Sequence, residues 1–292
     1  MRSLAHGADC SGKPRRVGRW LCSLTLTAIE SARQYRGNMR RRSLGQPLAA
    51  TCLLALIATP LLSQDTVDGF IGRVHKKGRD SMPYRLFVPR AYDRSVQYPL
   101  VIWLHGGGSA GTDNIGQISL DNKLGTHFWT RKENQDKHPA FVLAPQSTGG
   151  WDSNVSTSLS DELKLVMDIL DAVRKEYTID ASRIYVAGQS NGGIGAWGLI
   201  TKKPGVFAAA IPLCGAGHAG IASRAAKTAV WAFHGETDAV ISVDFTRKMV
   251  DAMKRAGGNP RYTEYKGVGH EIWEMVFKEP DLEEWLFAQR LK

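Results

Sequence analysis

Residues 184–193 read Ile184-Tyr185-Val186-Ala187-Gly188-Gln189-Ser190-Asn191-Gly192-Gly193, and this stretch decides the fold. Its apolar start, β-branched at Ile184 and Val186, predicts a buried strand. The strand runs into Gly-x-Ser-x-Gly, and Ile194 to Thr201 suits a helix. A serine in such a strand-to-helix turn is held in a tight, strained backbone with its hydroxyl exposed. A side chain at either flanking glycine would crowd the turn or hold the helix away from the strand. The turn also puts the Asn191 N–H at a helix N-terminus, where it can face a developing oxyanion. The short motif alone also fits an ordinary flexible turn, and it is the strand–turn–helix context that favours a nucleophile. An overlapping run, Gly193-Ile194-Gly195-Ala196-Trp197-Gly198, fits the dinucleotide fingerprint. That reading fails, because an acidic residue should follow about 20 residues later and none occurs between Gly193 and Glu236.

A serine hydroxyl is a poor nucleophile at neutral pH. It needs a base to take its proton, a carboxylate to orient the base, and donors for the oxyanion. For a nucleophile on this kind of elbow the expected chain order is serine, acid, histidine. Thr228 to Phe233 reads as a buried strand and runs into His234-Gly235-Glu236-Thr237-Asp238. Asp238 therefore falls on a loop just past a strand end, where catalytic groups of open sheets collect. Glu236 and Asp244 compete with it, although Asp244 suits the start of a helix over residues 245–256, where the dipole favours an acid. Arg261 to Tyr265 alternates like a strand, and Gly267-Val268-Gly269-His270 follows. His218 and His234 precede Asp238, so only His270 satisfies the order.

Pro99 to Leu104 forms a further apolar run that ends in His105-Gly106-Gly107-Gly108. Glycines there let the backbone approach a substrate and leave an N–H free to donate. Gly107 is the preferred second oxyanion donor beside Asn191, with Gly108 next. No Gly-Lys-Ser/Thr follows, which excludes a phosphate loop. His105 reads as an anchor for the loop. Trp151, on the loop after the strand Ala140 to Ala144, is a candidate aromatic wall; the competing reading is a tryptophan packed on the sheet end. Gln189 and Gly108 complete the candidate substrate contacts. His218 reads as facing solvent.

These residues resemble the α/β-hydrolase superfamily, and within it the secreted carboxylesterase, polyhydroxybutyrate-depolymerase-like and predicted-peptidase branch. The resemblance rests on Tyr84 to Pro89, Pro99 to Thr112, Val142 to Gln146, the Trp151 loop, Gly188 to Gly192, His234 to Asp238 and Gly269-His270, in order over about residues 68–290. It implies Ser190 as nucleophile, His270 as base, Asp238 as orienting acid, and N–H donors near Gly107 and Asn191. Several members carry a small hydrophobic residue where Asn191 stands. That departure leaves the backbone donor intact and would act on the acyl pocket.

Charge and length fit one large α/β domain. The chain has 292 residues, 43% of them hydrophobic, and a formal charge of +10. Residues 1–64 hold 10 Lys/Arg against 2 Asp/Glu, whereas the remainder holds 28 against 26, so the part expected to fold is close to neutral. No basic run is interleaved with aromatics, which argues against nucleic acid as a partner. Met39 to Arg42 followed by the apolar run Leu48 to Ala58 predicts a signal peptide over 39–64 and an exported protein. The run is too short for a membrane span. Residues 1–38 fit no element and are expected to be an untranslated or disordered extension. Three of the four cysteines lie before residue 65, which leaves Cys214 as a buried small hydrophobe without a disulfide partner.

Further along, Phe70 to Val74 and Pro83 to Val88 read as edge strands. Ser160 to Tyr177 reads as a capped helix with one apolar stripe, and Glu283 to Arg290 as a closing helix. Strands alternating with helices predict a doubly wound, mostly parallel sheet in one catalytic domain, residues 65–292. The expected chemistry is cleavage of a small or polymeric carboxylic ester through an acyl-enzyme, with no metal or organic cofactor. A serine peptidase on the same scaffold and a catalytically silent binding module are the alternatives.

Overall fold

The computed structural model describes residues 65–152 and 156–291. The expected extension over 1–38 and signal peptide over 39–64 lie outside the described residues. In chain order the elements are β1 (Thr66–Val67), β2 (Phe70–Lys77), β3 (Asp80–Phe87), β4 (Tyr98–Leu104), α1 (Asn122–Thr130), α2 (Lys132–Lys137), β5 (Phe141–Pro145), α3 (Asp161–Glu176), β6 (Ile179–Gln189), α4 (Asn191–Lys202), β7 (Ala209–Leu213), β8 (Ala229–Gly235), α5 (Asp244–Arg255), β9 (Arg261–Tyr265), α6 (Trp273–Val276) and α7 (Leu282–Phe287).

Among the described residues the strands form a single sheet in the order β1-β2-β3-β5-β4-β6-β7-β8-β9. The pairings from β5 through β9 are parallel, and β1, β2 and β3 add on antiparallel. Neither Phe70 to Val74, in β2 between β1 and β3, nor Pro83 to Val88 is therefore an edge strand. β3 lies between β2 and β5, and the edges are β1 and β9. Pro83 lacks a ladder donor but still takes part through its carbonyl, which accepts the Gln146 N–H at 2.8 Å.

β4 shows why a continuous apolar run is needed in the middle of such a sheet. Successive side chains point to opposite faces. Leu100, Ile102 and Leu104 enter the core beneath α3, α4 and α5. Val101 and Trp103 enter the second core, beneath α1, α6 and α7. Both faces are covered, so no position tolerates a polar side chain. α3 follows its sequence pattern closely. Ser160 accepts from Leu163 N–H, Asp161 and Glu162 occupy the first turn, and Leu163, Val166, Ile169, Leu170 and Val173 are buried. α1 and α2 have no such stripe: α2 is the wholly polar Lys-Glu-Asn-Gln-Asp-Lys. No helix among the described residues is long and apolar enough to cross a membrane.

Candidate active site

β6 delivers Ser190 to the carboxyl edge of the sheet, and α4 begins immediately after it. Ser190 has φ 54° and ψ −116°, a region that a non-glycine residue occupies only when its surroundings impose it. The imposing contacts are visible. Ser190 N–H donates to Leu213 O at 2.8 Å, and Ile194 N–H donates to Ser190 O at 3.1 Å. A Cβ built on Gly192 would lie 1.9 Å from Leu104 O, and one on Gly188 would lie 2.4 Å from Gly192 O. The helix therefore rests backbone on backbone against β4 and β6. The N–H groups of Asn191, Gly192 and Gly193 open the helix without intrahelical acceptors.

Three side chains from separate loops meet at this turn. Ser190 Oγ is 2.8 Å from His270 Nε2. His270 Nδ1 is 2.6 Å from Asp238 Oδ2. Asp238 Oδ1 accepts the N–H groups of Val240 at 2.8 Å and Ile241 at 2.9 Å. Because a carboxylate can only accept, His270 carries its proton on Nδ1 and turns a lone pair on Nε2 towards the serine. Burial pushes the Asp238 carboxyl up, but hydrogen bonds from His270 and from the Ile241 and Val240 N–H groups outweigh it and hold it below its usual range. Neither competing acid reaches the histidine: Glu236 accepts Gly267 N–H, and Asp244 pairs with Arg247 at the start of α5. His270 also meets Trp273 edge-on, with ring centres 5.5 Å apart.

The glycine loop after β4 sits beside this centre because Leu104 and Gly188 are in register. Gly107 and Gly108 are exposed, and a Cβ at either would meet nothing within 4 Å. Buried polar side chains hold the loop from below. Asn122 Oδ1 accepts Gly106 N–H and the Trp103 indole N–H, both at 3.2 Å, while its amide donates to Ser109 Oγ at 2.7 Å. Gln146 donates to Ser109 O and Asp113 Oδ1, and accepts Asn114 N–H. His105 is wholly buried. Its Nδ1–H donates to Gly106 O at 2.8 Å, and its Nε2 accepts Ser147 N–H at 3.0 Å. Sequence reading anticipated the anchoring role of His105. It missed Asn122, whose neighbours carry no pattern that ties it to a loop 16 residues earlier.

Two of the suggested substrate contacts fall elsewhere. Trp151 is fully buried, and its indole N–H donates to His105 O at 2.9 Å. Its backbone N–H donates to Asn191 Oδ1 at 2.9 Å. It therefore packs under the site and presents no wall to a ligand. Gln189 is 3% exposed and lies against Gly106. His218 faces solvent and caps a 3-10 helix, accepting Gly220 N–H. A cavity of about 410 Å³ runs along α4 from Ile194 to Lys202 towards Phe245 and Lys248, and neither Ser190 nor His270 lines it. The hydrogen-bond geometry, not this cavity, marks the chemistry.

Cys214, His234 and Asp238 bring potential ligand atoms within 4.8 Å of one another. Each already has a protein partner: Cys214 Sγ donates to His270 O at 3.3 Å, His234 bonds Ile241 O and Thr246 Oγ1, and Asp238 bonds His270. Burial pushes the Cys214 thiol well up, so it stands as a neutral donor.

Burial also holds His105 and His234 below the ordinary histidine value of 6.5, against the hydrogen bonds that favour their charged forms. The unfolded chain takes up protons near 6.5 that these rings refuse in the fold. Their contribution is therefore complete above that pH and is lost as pH falls towards the folded values. The Asp238 contribution is lost only on further acidification, below the ordinary carboxylate value of 3.8. The melting temperature is expected to drop as pH falls below 6.5. His105→Gln should flatten that drop, while lowering stability at pH 7. A scan of melting temperature against pH for both proteins checks this, and equal slopes would reject it.

Comparison with known proteins agrees with this architecture. The sequence matches the phospholipase/carboxylesterase family over residues 92–281. A crystal structure of a thermostable esterase superposes with a TM-score of 0.73 at 36% identity, covering 77% of this chain and 64% of that one. "Probable feruloyl esterase C" of Aspergillus terreus is 27% identical over 176 residues, which is 60% of this chain and 62% of that protein. The poly(3-hydroxybutyrate) depolymerase of Ralstonia pickettii is 32% identical over 120 residues, 37% of this chain and 23% of that enzyme. The chain thus spans under two thirds of the length of these relatives. With most of its length matched and with its mostly parallel sheet, the chain belongs to the phospholipase/carboxylesterase family and has the α/β-hydrolase fold.

Proposed function

We propose that this protein is an exported carboxylesterase that cleaves its substrate through an acyl-enzyme at Ser190. The observation that carries this is the unbroken series Ser190 Oγ, His270, Asp238, with contacts of 2.8 and 2.6 Å, on a serine held at positive φ. His270 Nε2 takes the serine proton as Oγ attacks the ester carbonyl. The oxyanion is received by the N–H groups of Asn191 and Gly107. His270 then hands the proton to the leaving alcohol, and water repeats the sequence to release the acid. Asp238 keeps the ring in the required tautomer and stabilises its cation. Exposed Gly107 and Gly108 leave room for the ester beside the donors. Feruloyl esterases and a depolymerase among the relatives make hydroxycinnamoyl and hydroxyalkanoyl esters the substrates to try first. Export is inferred from the basic and apolar stretch over 39–64 and from a relative described as a secreted protein.

The test is labelling with a fluorophosphonate, followed by peptide mapping, beside turnover of nitrophenyl esters, methyl ferulate and peptide anilides. The phosphonate is expected on the peptide that contains Ser190, with ester turnover far above anilide turnover. Anilide cleavage at the ester rate would favour the peptidase, and an unlabelled, inactive protein would favour the binding module.

A further inference from the structure

Asp238 Oδ2 is approached by two imidazoles. His270 Nδ1 lies at 2.6 Å, and His234 Nε2 lies at 3.1 Å. His234 Nε2 is also 2.9 Å from Ile241 O. Neither oxygen carries a hydrogen, so Nε2 must carry the one that bonds Ile241 O, with Asp238 Oδ2 beside it. His234 Nδ1 faces Thr246 Oγ1 at 2.8 Å, and that hydroxyl lies 3.1 Å from Gly215 O. The side chains of His234 and Asp238 are both wholly buried. Burial outweighs the Ile241 carbonyl and the Asp238 carboxylate and keeps His234 below its usual range. The carboxylate therefore accepts hydrogen bonds from His270 on Oδ2 and from the Val240 and Ile241 N–H groups on Oδ1, and His234 Nε2 stands beside Oδ2 at 3.1 Å.

A ring needed only to join β8 to its loop would be satisfied by Ile241 O. This ring also touches the one oxygen that supports His270. A second donor there fixes the rotation of the carboxylate and draws charge away from Oδ2. Less charge on Oδ2 means weaker support for a protonated His270.

We propose that His234 is a positioning residue of the Ser190 centre, holding Asp238 Oδ2 through Nε2–H and setting how strongly that oxygen supports His270. The inference rests on the reading of Ser190, His270 and Asp238 as the hydrolytic centre. The other ionisable groups facing His234 do not supply the effect. Glu264, in register with it on β9, is held low first by the Arg247 guanidinium on α5, which lies at 2.6 and 2.9 Å. Cys214, at the end of β7, is kept neutral by burial.

The experiment compares the full-length wild type with His234→Leu, His234→Gln and Ser190→Ala, measuring kcat, KM and the pH profile of kcat/KM on a nitrophenyl ester. His234→Leu is expected to lower kcat about ten- to a hundredfold while KM changes by less than about twofold. Its acid limb should move to higher pH, because an unshared Oδ2 holds a protonated His270 more strongly. His234→Gln, whose amide can donate to Oδ2, should restore both kcat and the limb. An acid limb in His234→Leu that coincides with the wild type overturns the proposal, whatever happens to kcat. If the leucine variant does not fold, histidine-labelled wild type carries the test by nitrogen NMR. His234 should be protonated on Nε2, and that proton should shift when Ser190 is phosphonylated. A ring protonated on Nδ1 alone, or an unmoved resonance, overturns it. Full turnover by Ser190→Ala would instead overturn the hydrolytic reading itself, whereas an inactive Ser190→Ala beside an unmoved limb rejects only the role of His234.

Discussion

Ser190→Ala and His270→Ala are each expected to slow ester hydrolysis by about a millionfold, and the double variant is expected to be no slower than either alone. The two residues act as one unit. In the proposed mechanism Oγ, at 2.8 Å from Nε2, is a nucleophile only while the ring can take its proton, and the ring's later tasks arise only once Oγ has attacked. Removing either leaves the same residual machinery, the N–H donors at Asn191 and Gly107. Asp238→Asn should cost less, about ten-thousandfold. An asparagine amide can donate, so the ring would then present its N–H to the serine and its lone pair to residue 238. Steady-state rates of the four variants at pH 8 give the answer. Multiplicative losses in the double variant would mean that the two side chains work independently, and the proposed sequence of proton transfers would fall.

Gly192→Ala is expected to destabilise the fold by more than about 4 kcal/mol, among the largest single-residue effects in the molecule. Its Cβ would lie 1.9 Å from Leu104 O, with His105 O at 2.8 Å, and both are backbone atoms at the end of a central strand. A flexible side chain could move aside; a strand bonded on both flanks cannot. α4 would have to lift from β4, taking the Ser190 turn with it. Urea unfolding of the two proteins reads the difference directly. A loss below about 1 kcal/mol would show that the helix can shift freely, and the account of the strained serine would need revision.

Much of this was legible because the fold and the site use the same residues. The run at 184–193 is at once a central strand, a turn that admits few side chains and the seat of the proposed nucleophile, so one pattern bears on all three. Chain order isolates His270, and position past a strand end favours Asp238. What stayed hidden has a physical reason. α1 buries Asn122, Gly125 and Thr126 beside Phe128 and Trp129, so its inward face is partly polar or bare and carries no regular apolar stripe; it packs against Trp103 and Phe277. For Trp151 the sequence left a wall and a packed position both open, because an indole can serve a ligand or a core equally well. Only the His105 carbonyl, distant in sequence, decides between them. His234 was set aside by chain order, a rule that selects a candidate base but says nothing of which side chains lie against the acid.

The glycines around the nucleophile divide the site into ground that tolerates change and ground that does not. At 188, 192 and 193 an added carbon would strike backbone, whereas at 107, 108 and 269 it would meet empty space. A mutational library aimed at new ester preferences therefore has a natural layout. The first set is left untouched, since almost every substitution there would be lost to misfolding before selectivity could be assayed. Diversity is placed at 107, 108 and 269, where each new side chain projects into the approach and leaves the scaffold as it is.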